Sequence, residues 1–308
     1  MIRKLAVLIC LAAIGAQLPA CSPSRMAANL AGRALASGGD VYSSEEDPEL
    51  LMAALPFGLK TMESLIRTSP DNQDLRLASA RGLTAYAYLV QQTHVADPYA
   101  SSAEQRQLDH RVARLFLRGR NDALAALELR HPGFTKGLRR NRGETLAQTV
   151  AADAELLYWA GAAWSGAISA DKRDLEMVAE LSLAAALVQR SARLDETFNG
   201  GAAQEFLMLY EAGRPGGSDK RAERYYRRAV KLSGNTSAGA HVGFAEAIAV
   251  RRQDRAAFRA ALNAALAIDI DAVPERRLTN VLAQRRARRL LEEEDLLFFA
   301  PEEEGETS

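Results

Sequence analysis

The sequence predicts an all-α protein built as an irregular stack of helical hairpins. Apolar residues recur at helical spacing from Ser24 onward, alternating strand patterns are scarce, and proline or glycine separates the apolar stretches. A hydrophobic fraction of 48% over 308 residues is sufficient for a sizeable buried core.

The first helical hairpin is predicted from two apolar stripes joined by a short turn. Asp47 and Pro48 supply the cap and first-turn residue of its first helix, Pro70 ends that helix, and the second helix starts at Asp71. Helices joined by so short a turn pack as antiparallel neighbours. The first stripe consists of Leu51, Leu55, Leu59, Met62 and Ile66, and the second includes Leu75, Ala78, Gly82, Tyr86 and Leu89.

Further helices are predicted along the rest of the chain. A long helix covers about 103–130 and ends at His131-Pro132, because proline cannot continue it. The segment 156–164 is apolar on all sides, which is typical of a helix buried inside a larger helical body. The other predicted helices cover about 174–193, 199–213, 222–230, 239–251, 258–266 and 275–297.

The stretch from Asp219 to Asp269 loosely fits the paired helices of a tetratricopeptide repeat. Strict self-similarity does not span the chain, so we expect an irregular, tetratricopeptide-like stack with a concave surface. This gives one domain over 21–298, followed by a disordered acidic tail over 299–308. The candidate close-packing positions of the repeat are Ala222, Ala229, Gly243 and Ala265.

Residues 1–20 have the three-part layout of an export signal peptide. Arg3 and Lys4 precede an apolar stretch over 5–18, which is too short to span a bilayer. The signal ends before Cys21, so the rest of the chain is expected to work outside the cytoplasm.

Cys21 stands where a lipobox places its acylated cysteine, after Leu18-Pro19-Ala20. We therefore expect Cys21 to be the lipid attachment site of a lipoprotein. Ser22 resembles the sorting residue of lipoproteins passed to the outer membrane, so the expected location is the periplasmic side of that membrane. A plain signal peptide with an incidental cysteine is the alternative, because Pro19 is unusual in a lipobox.

The charge balance and the cysteine count narrow the partners. Basic and acidic residues number 39 each, which gives no electrostatic case for nucleic acid. Arg288 and Arg289 each precede a glutamate by four residues, so a salt-bridged surface is predicted there. Cys10 lies within the signal, so the chain after the signal has no disulfide of its own.

The sequence offers little support for an enzyme. His94, His110, His131 and His241 lack metal-ligand spacing, and no cofactor motif is present, so neither a metal nor a cofactor is expected. Glu63-Ser64 has the residue order of the acid in lytic transglycosylases, but it belongs to an ordinary amphipathic helix. An enzyme of that class therefore ranks third among the functions considered.

Four aromatic residues are the candidate ligand or pore-lining residues, with core packing as their alternative role. Tyr225 and Tyr226 are adjacent on a helix, so at most one of them faces a groove. The four candidates are Tyr158, Trp159, Trp164 and Tyr225.

Several stretches, in their order along the chain, resemble the T component (TatT) of tripartite ATP-independent periplasmic (TRAP) transporters. The resemblance covers roughly residues 21–298. It is carried by Asp47-Pro48-Glu49-Leu50, His131-Pro132-Gly133-Phe134, Leu157-Tyr158-Trp159, Leu194-Asp195-Glu196, the segment 251–258 and Arg277-Leu278-Thr279-Asn280.

This resemblance implies a periplasmic lipoprotein with a tetratricopeptide-like fold that associates with the solute-binding P component. Its role would be that of an accessory subunit, which docks the binding protein and holds or passes a hydrophobic solute. It also implies a homo-oligomer, with a trimer among the expected states. The alternative is a lipoprotein scaffold of an envelope assembly or secretion machine, which would use the same helical fold without any solute.

Overall fold

The structure, a computed structural model, describes residues 23–37, 40–93 and 101–299. Every regular element among them is helical, which confirms the predicted all-α class. None of the described helices is long and apolar enough to cross a membrane. The predicted signal peptide, Cys21, His94 and residues 300–308 of the predicted tail lie outside the described residues.

Sixteen helices follow one another along the described residues, with short 3₁₀ turns at Ala151–Asp153, Phe198–Gly200 and Pro274–Arg276. The helices are α1 Pro23–Ser37, α2 Asp40–Ser43, α3 Pro48–Thr68, α4 Gln73–Thr93, α5 Ser102–Arg130, α6 Phe134–Arg140, α7 Arg142–Ala147, α8 Ala154–Ala170, α9 Leu175–Ala179, α10 Leu181–Leu194, α11 Ala202–Gly213, α12 Asp219–Leu232, α13 Ala238–Phe244, α14 Arg255–Leu266, α15 Arg277–Glu292 and α16 Glu294–Leu297.

The helix ends follow from local side-chain chemistry. At α3, the Asp47 carboxylate accepts hydrogen bonds of 3.0 Å from the backbone N–H groups of Glu49 and Leu50, and Pro48 takes the first helical position. At α5, Ser101 and Glu104 cap each other's backbone N–H groups. These bonds satisfy donors that the first turn of a helix leaves without a partner.

Two predicted helices are interrupted. The helix expected over 174–193 is broken at Glu180, whose N–H bonds back to the carbonyls of Met177 and Val178 and so closes α9 with a tight turn. The helix expected over 275–297 is broken at Glu293, between α15 and α16. The helix expected over 239–251 is present, but α13 continues as a π-helical turn over Ala245–Ala249. Helical periodicity survives such breaks, so the pattern of apolar residues does not reveal them.

The core is largest in the first two thirds of the chain. The apolar helix α8 lies inside it, and Leu157, Ala160 and Trp164 are almost completely buried, as its all-round apolar surface predicts. Glycine permits the close approach of α8 to α10. A Cβ on Gly161 would lie 2.6 Å from the carbonyl oxygen of Ala184 and 2.6 Å from Cγ2 of Val188.

The last long helix returns to the first hairpin. Leu278 and Leu282 of α15 are buried in the same core as Leu51 and Leu55 of α3. At the same junction, the guanidinium of Arg285 contacts Glu49 at 2.5 Å, and α2 packs against α15. The stack therefore closes on itself.

The ion pairs of the arginine cluster, which consists of Arg285, Arg286, Arg288 and Arg289, differ from the predicted ones. Arg285 and Arg286 make the ion pairs, and their main partners, Glu49 and Glu246, belong to other elements of the fold. The cluster thus joins elements of the stack, whereas the sequence predicted pairs within one helix.

Substitution of Gly161 tests the close contact between α8 and α10. We expect Gly161→Ala to lower the free energy of unfolding by about 1–3 kcal/mol, because the added Cβ meets a backbone carbonyl that cannot move aside cheaply. The matched control is Gly58→Ala on α3, where a Cβ would have only the Tyr42 hydroxyl nearby, at 3.7 Å. That change is expected to raise the free energy of unfolding by about 0.5–1 kcal/mol. Urea denaturation measures the free energy of unfolding of both variants. Equal effects of the two substitutions would contradict the close contact between α8 and α10.

Candidate functional site

Alternate helices of the stack form an inner layer. Helix α4 packs on α8, α11 packs on α13, and α13 packs on α15, while α5, α10, α12 and α14 lie between successive inner helices. Because α15 also packs on the first hairpin, the inner layer returns to the hairpin that contains α4.

Ionisable groups of the inner layer meet around Tyr88 of α4. Its side chain is 39% exposed, yet burial raises the pKa of its phenol to about 12, with further upward contributions from Glu246 and Glu205. Arg286 and Arg289 act in the opposite direction. Charged groups of α11, α15 and the π-helical turn therefore lie close enough to Tyr88 to affect its ionisation. We call these five residues, together with Tyr158, the interior cluster.

Glu205 and Tyr158 extend the cluster to α11 and α8. Burial raises the pKa of the Glu205 carboxyl, although a hydrogen bond to Ser237 and the charge of Arg276 oppose the shift. Burial also raises the pKa of Tyr158, and Glu205 adds to that effect. Both side chains are partly exposed, and Glu205 acts on both Tyr88 and Tyr158, which links the three groups.

The interior surface also has an apolar part. Leu209 is 48% exposed and stands four residues after Glu205, on the same face of α11. A Cβ on Gly243 of α13 would lie 3.2 Å from Cδ2 of Leu209, so α13 approaches this side chain closely. The interior therefore combines an exposed leucine and tyrosine rings with ionisable groups.

The two arginines of the cluster differ in what they bind. Arg286 donates to one carboxylate oxygen of Glu246 through Nε at 3.0 Å and through Nη2 at 2.6 Å. Arg289 has a buried Nε that finds no hydrogen-bond acceptor among the described residues. The charge of Arg286 is therefore compensated, whereas Arg289 forms no ion pair among the described residues.

The structure brings three of the four predicted aromatic residues close to one another. Tyr158 packs edge-on against Trp159 with ring centroids 5.3 Å apart, and Trp159 donates its indole N–H to Glu155. Tyr225 and Tyr158 pack against the same small buried cluster around Leu207. A ligand-binding role for these residues stays a prediction.

Trp164 lies on another side of α8, away from Tyr158. Its side chain is 1% exposed, its indole N–H donates to Glu180 at 3.2 Å, and the guanidinium of Arg120 stacks over its ring at 4.7 Å. These are the contacts of a core-packing residue, which was the alternative role predicted for Trp164.

Several members of the interior cluster were not predicted from the sequence. Glu205 had a usable signal, since it is a charged residue within a largely apolar helix. Tyr88 and Glu246 had none, because only the closed stack brings α4 and the π-helical turn to the same space.

Glu63 is surrounded by cations. It pairs with Lys60 and Arg67 at 2.8 Å and with Arg118 at 3.2 Å, and the hydrogen bond from Lys60 is the main cause of its lowered pKa. A general acid needs a raised pKa. Glu63 therefore has the electrostatics of a surface ion-pair residue.

Two of the three described histidines make structural hydrogen bonds. His131 bonds to Asp153 at 2.8 Å, and His241 bonds to the Tyr226 hydroxyl and to Asn235, both at 2.8 Å. Within the described ranges, no three side chains of metal-binding type gather at one point.

The fold defines an all-α protein built as a stack of helices, whose inner layer carries ionisable, aromatic and apolar side chains. The family model of the TRAP transporter T-component matches residues 44–298, and the chain belongs to this family. A protein of Treponema pallidum (strain Nichols), described only as uncharacterized, is 29% identical over 256 residues, which cover 80% of this chain and 79% of the relative.

The raised pKa of Glu205 predicts how stability depends on pH. The carboxyl loses its proton more readily in the unfolded chain, so its burial costs stability as the pH rises from the ordinary carboxyl range through the folded-state pKa. We expect Glu205→Gln to be more stable than the wild type at about pH 7.5, and this gain to shrink toward about pH 4.

Thermal or urea unfolding across this pH range measures the effect. Glu63→Gln is the matched control, because the lowered pKa of Glu63 gives the opposite sign. A gain for Glu205→Gln that is independent of pH would contradict the desolvation of this carboxyl.

Proposed function

We propose that this protein is the lipid-anchored accessory subunit of a TRAP-type uptake system. In this proposal Cys21 carries the lipid on the periplasmic side of the outer membrane. The protein docks the solute-binding P protein and holds or passes a hydrophobic solute. Family membership supports the transport role, and the interior cluster is the observation that carries the solute role.

The interior suits a solute with an apolar body and a polar end. Leu209 and the rings of Tyr88 and Tyr158 offer apolar contacts, and Arg289, which forms no ion pair among the described residues, offers positive charge. Ligand sites commonly combine such an apolar lining with a few polar groups that fix orientation. Removing the solute from water would supply most of the binding free energy.

The outer surface of α3 supports a docking role. Leu50 and Phe57 are exposed apolar residues seven positions apart on one face, with Ala53 and Ala54 between them, and Phe57 is 81% exposed. Exposed apolar patches of this kind are typical of protein contact surfaces. A second copy of this chain would compete with the solute-binding protein for the same surface. A substitution on this surface is therefore expected to affect both self-association and docking.

Retention of the partner by the full-length chain tests docking. The tagged protein is expected to retain a TRAP solute-binding protein of the same organism, and Phe57→Glu is expected to weaken retention at least tenfold, because a charge is desolvated at the contact. Leu175→Glu, at an exposed leucine of α9, is the control. Capture of a different envelope protein, with no retention of the solute-binding protein, would favour the scaffold alternative and contradict docking.

Solute uptake in cells tests the interior separately from docking. We expect Leu209→Trp to reduce uptake strongly while the solute-binding protein is still retained, because the larger side chain crowds the interior cluster. Leu175→Trp adds the same bulk on another helix and is expected to leave uptake unchanged. Normal uptake by a folded Leu209→Trp variant would contradict a solute role for the interior.

A further inference from the structure

A groove with three arginines lies apart from the interior cluster. It is bounded by α7, α10 and the ring of Tyr210, and its volume is about 360 Å³. Arg142, Arg190 and Arg193 line it together with Gln189, and Leu146 and Ala185 are among its apolar lining residues. Its size is within the usual range of small-molecule sites.

The groove has an uncompensated positive charge. No carboxylate belongs to its lining, and within the part of the chain that the structure describes, none of its three arginines forms an ion pair. Carboxylates on the adjoining segments are bound elsewhere. Glu144 accepts a hydrogen bond from Asn141, and Glu180 contacts Arg139 and Trp164.

Two of the three guanidinium groups are held in place by the protein. Arg190 donates through Nε to the hydroxyl of Thr149 at 2.9 Å and through Nη2 to its carbonyl at 2.6 Å, and Thr149 is itself buried. Arg142 donates to the carbonyl of Ser182 at 3.3 Å. These bonds use only some of the five N–H donors of each guanidinium, so other donors remain for a ligand. Because the two side chains are already held in place, binding a ligand costs little of their conformational entropy.

We propose that this groove binds a phosphate monoester or another phosphate-bearing molecule of multiple negative charge. A phosphate monoester carries roughly −1.5 to −2 charges at neutral pH, which matches three arginines in a small volume better than the single charge of a carboxylate. Guanidinium forks bind phosphate oxygens with two parallel hydrogen bonds. The apolar lining accepts the organic group that bears the phosphate, and both free phosphate esters and lipid headgroups have this chemistry.

Calorimetric titration of the full-length chain in a non-ionic detergent tests the proposal. Pyrophosphate and glycerol phosphate are the soluble probes, and micelles of the same detergent containing phosphatidic acid, a lipid phosphate monoester, represent the headgroup source. We expect saturable binding of at least one phosphate probe that weakens with added salt. The Arg142→Ala/Arg193→Ala double variant is expected to lower this affinity at least tenfold.

The control is Arg114→Ala, at an exposed arginine of α5, which is expected to leave phosphate affinity unchanged. Circular dichroism establishes that each variant is folded, and both altered groove residues are exposed. Binding of phosphate by the double variant with wild-type affinity would overturn the assignment, as would binding of a glutamate-rich peptide with no binding of any phosphate probe. Neither result would bear on retention of the solute-binding protein, because the groove and the α3 surface share no residue.

Discussion

The architecture depends on the burial of two leucines of α15 in the core of the first hairpins. Leu278 and Leu282 join a chain segment near the C-terminus to helices more than 200 residues earlier, and they close the stack. Each buried leucine contributes about 1.5–3 kcal/mol. The exposed pair Arg285–Glu49 at the same junction contributes about 0–1 kcal/mol, so apolar burial dominates the closure.

The electrostatics of the interior follow from this closure. Tyr88 is affected by charges on α11, α15 and the π-helical turn, and burial, Glu246 and Glu205 raise the pKa of its phenol. Glu205 also raises the pKa of Tyr158 on α8, so the cluster joins helices from distant parts of the stack. In this member of the T-component family, the chemistry of the interior cluster therefore depends on the packing of helices far apart in sequence.

Two kinds of arginine distinguish the regions of the molecule. Many arginines pair with carboxylates of other helices, as Arg228 does with Glu196 and Arg252 with Asp219 and Glu223, and such pairs hold neighbouring hairpins in register. The groove beside α10 is different, because Arg190 bonds there to a hydroxyl and a carbonyl group and Arg142 bonds to a carbonyl group. Neutral acceptors position a guanidinium without cancelling its charge, which leaves the charge available to a ligand.

The sequence by itself determined the helical class and most of the helix positions. Apolar spacing, the Asp47 cap and the stop at Pro132 depend on neighbouring residues only, and these local rules placed α3, α4, α5 and α8 correctly. The family was also recognisable from the order of short stretches along the chain. Tyr158 and Trp159 were singled out as aromatic residues, although their packing partners were not predicted.

Only the tertiary structure decided the closure, the membership of the interior cluster and the position of the arginine groove. Tyr88, Glu205, Glu246 and Arg289 come from four segments, and no local pattern relates residues so far apart in sequence. The breaks at Glu180 and Glu293 also escaped prediction, since a turn between two helices preserves the apolar periodicity. Local rules determine which segments become helices, whereas the burial of Leu278 and Leu282 determines which of their faces meet.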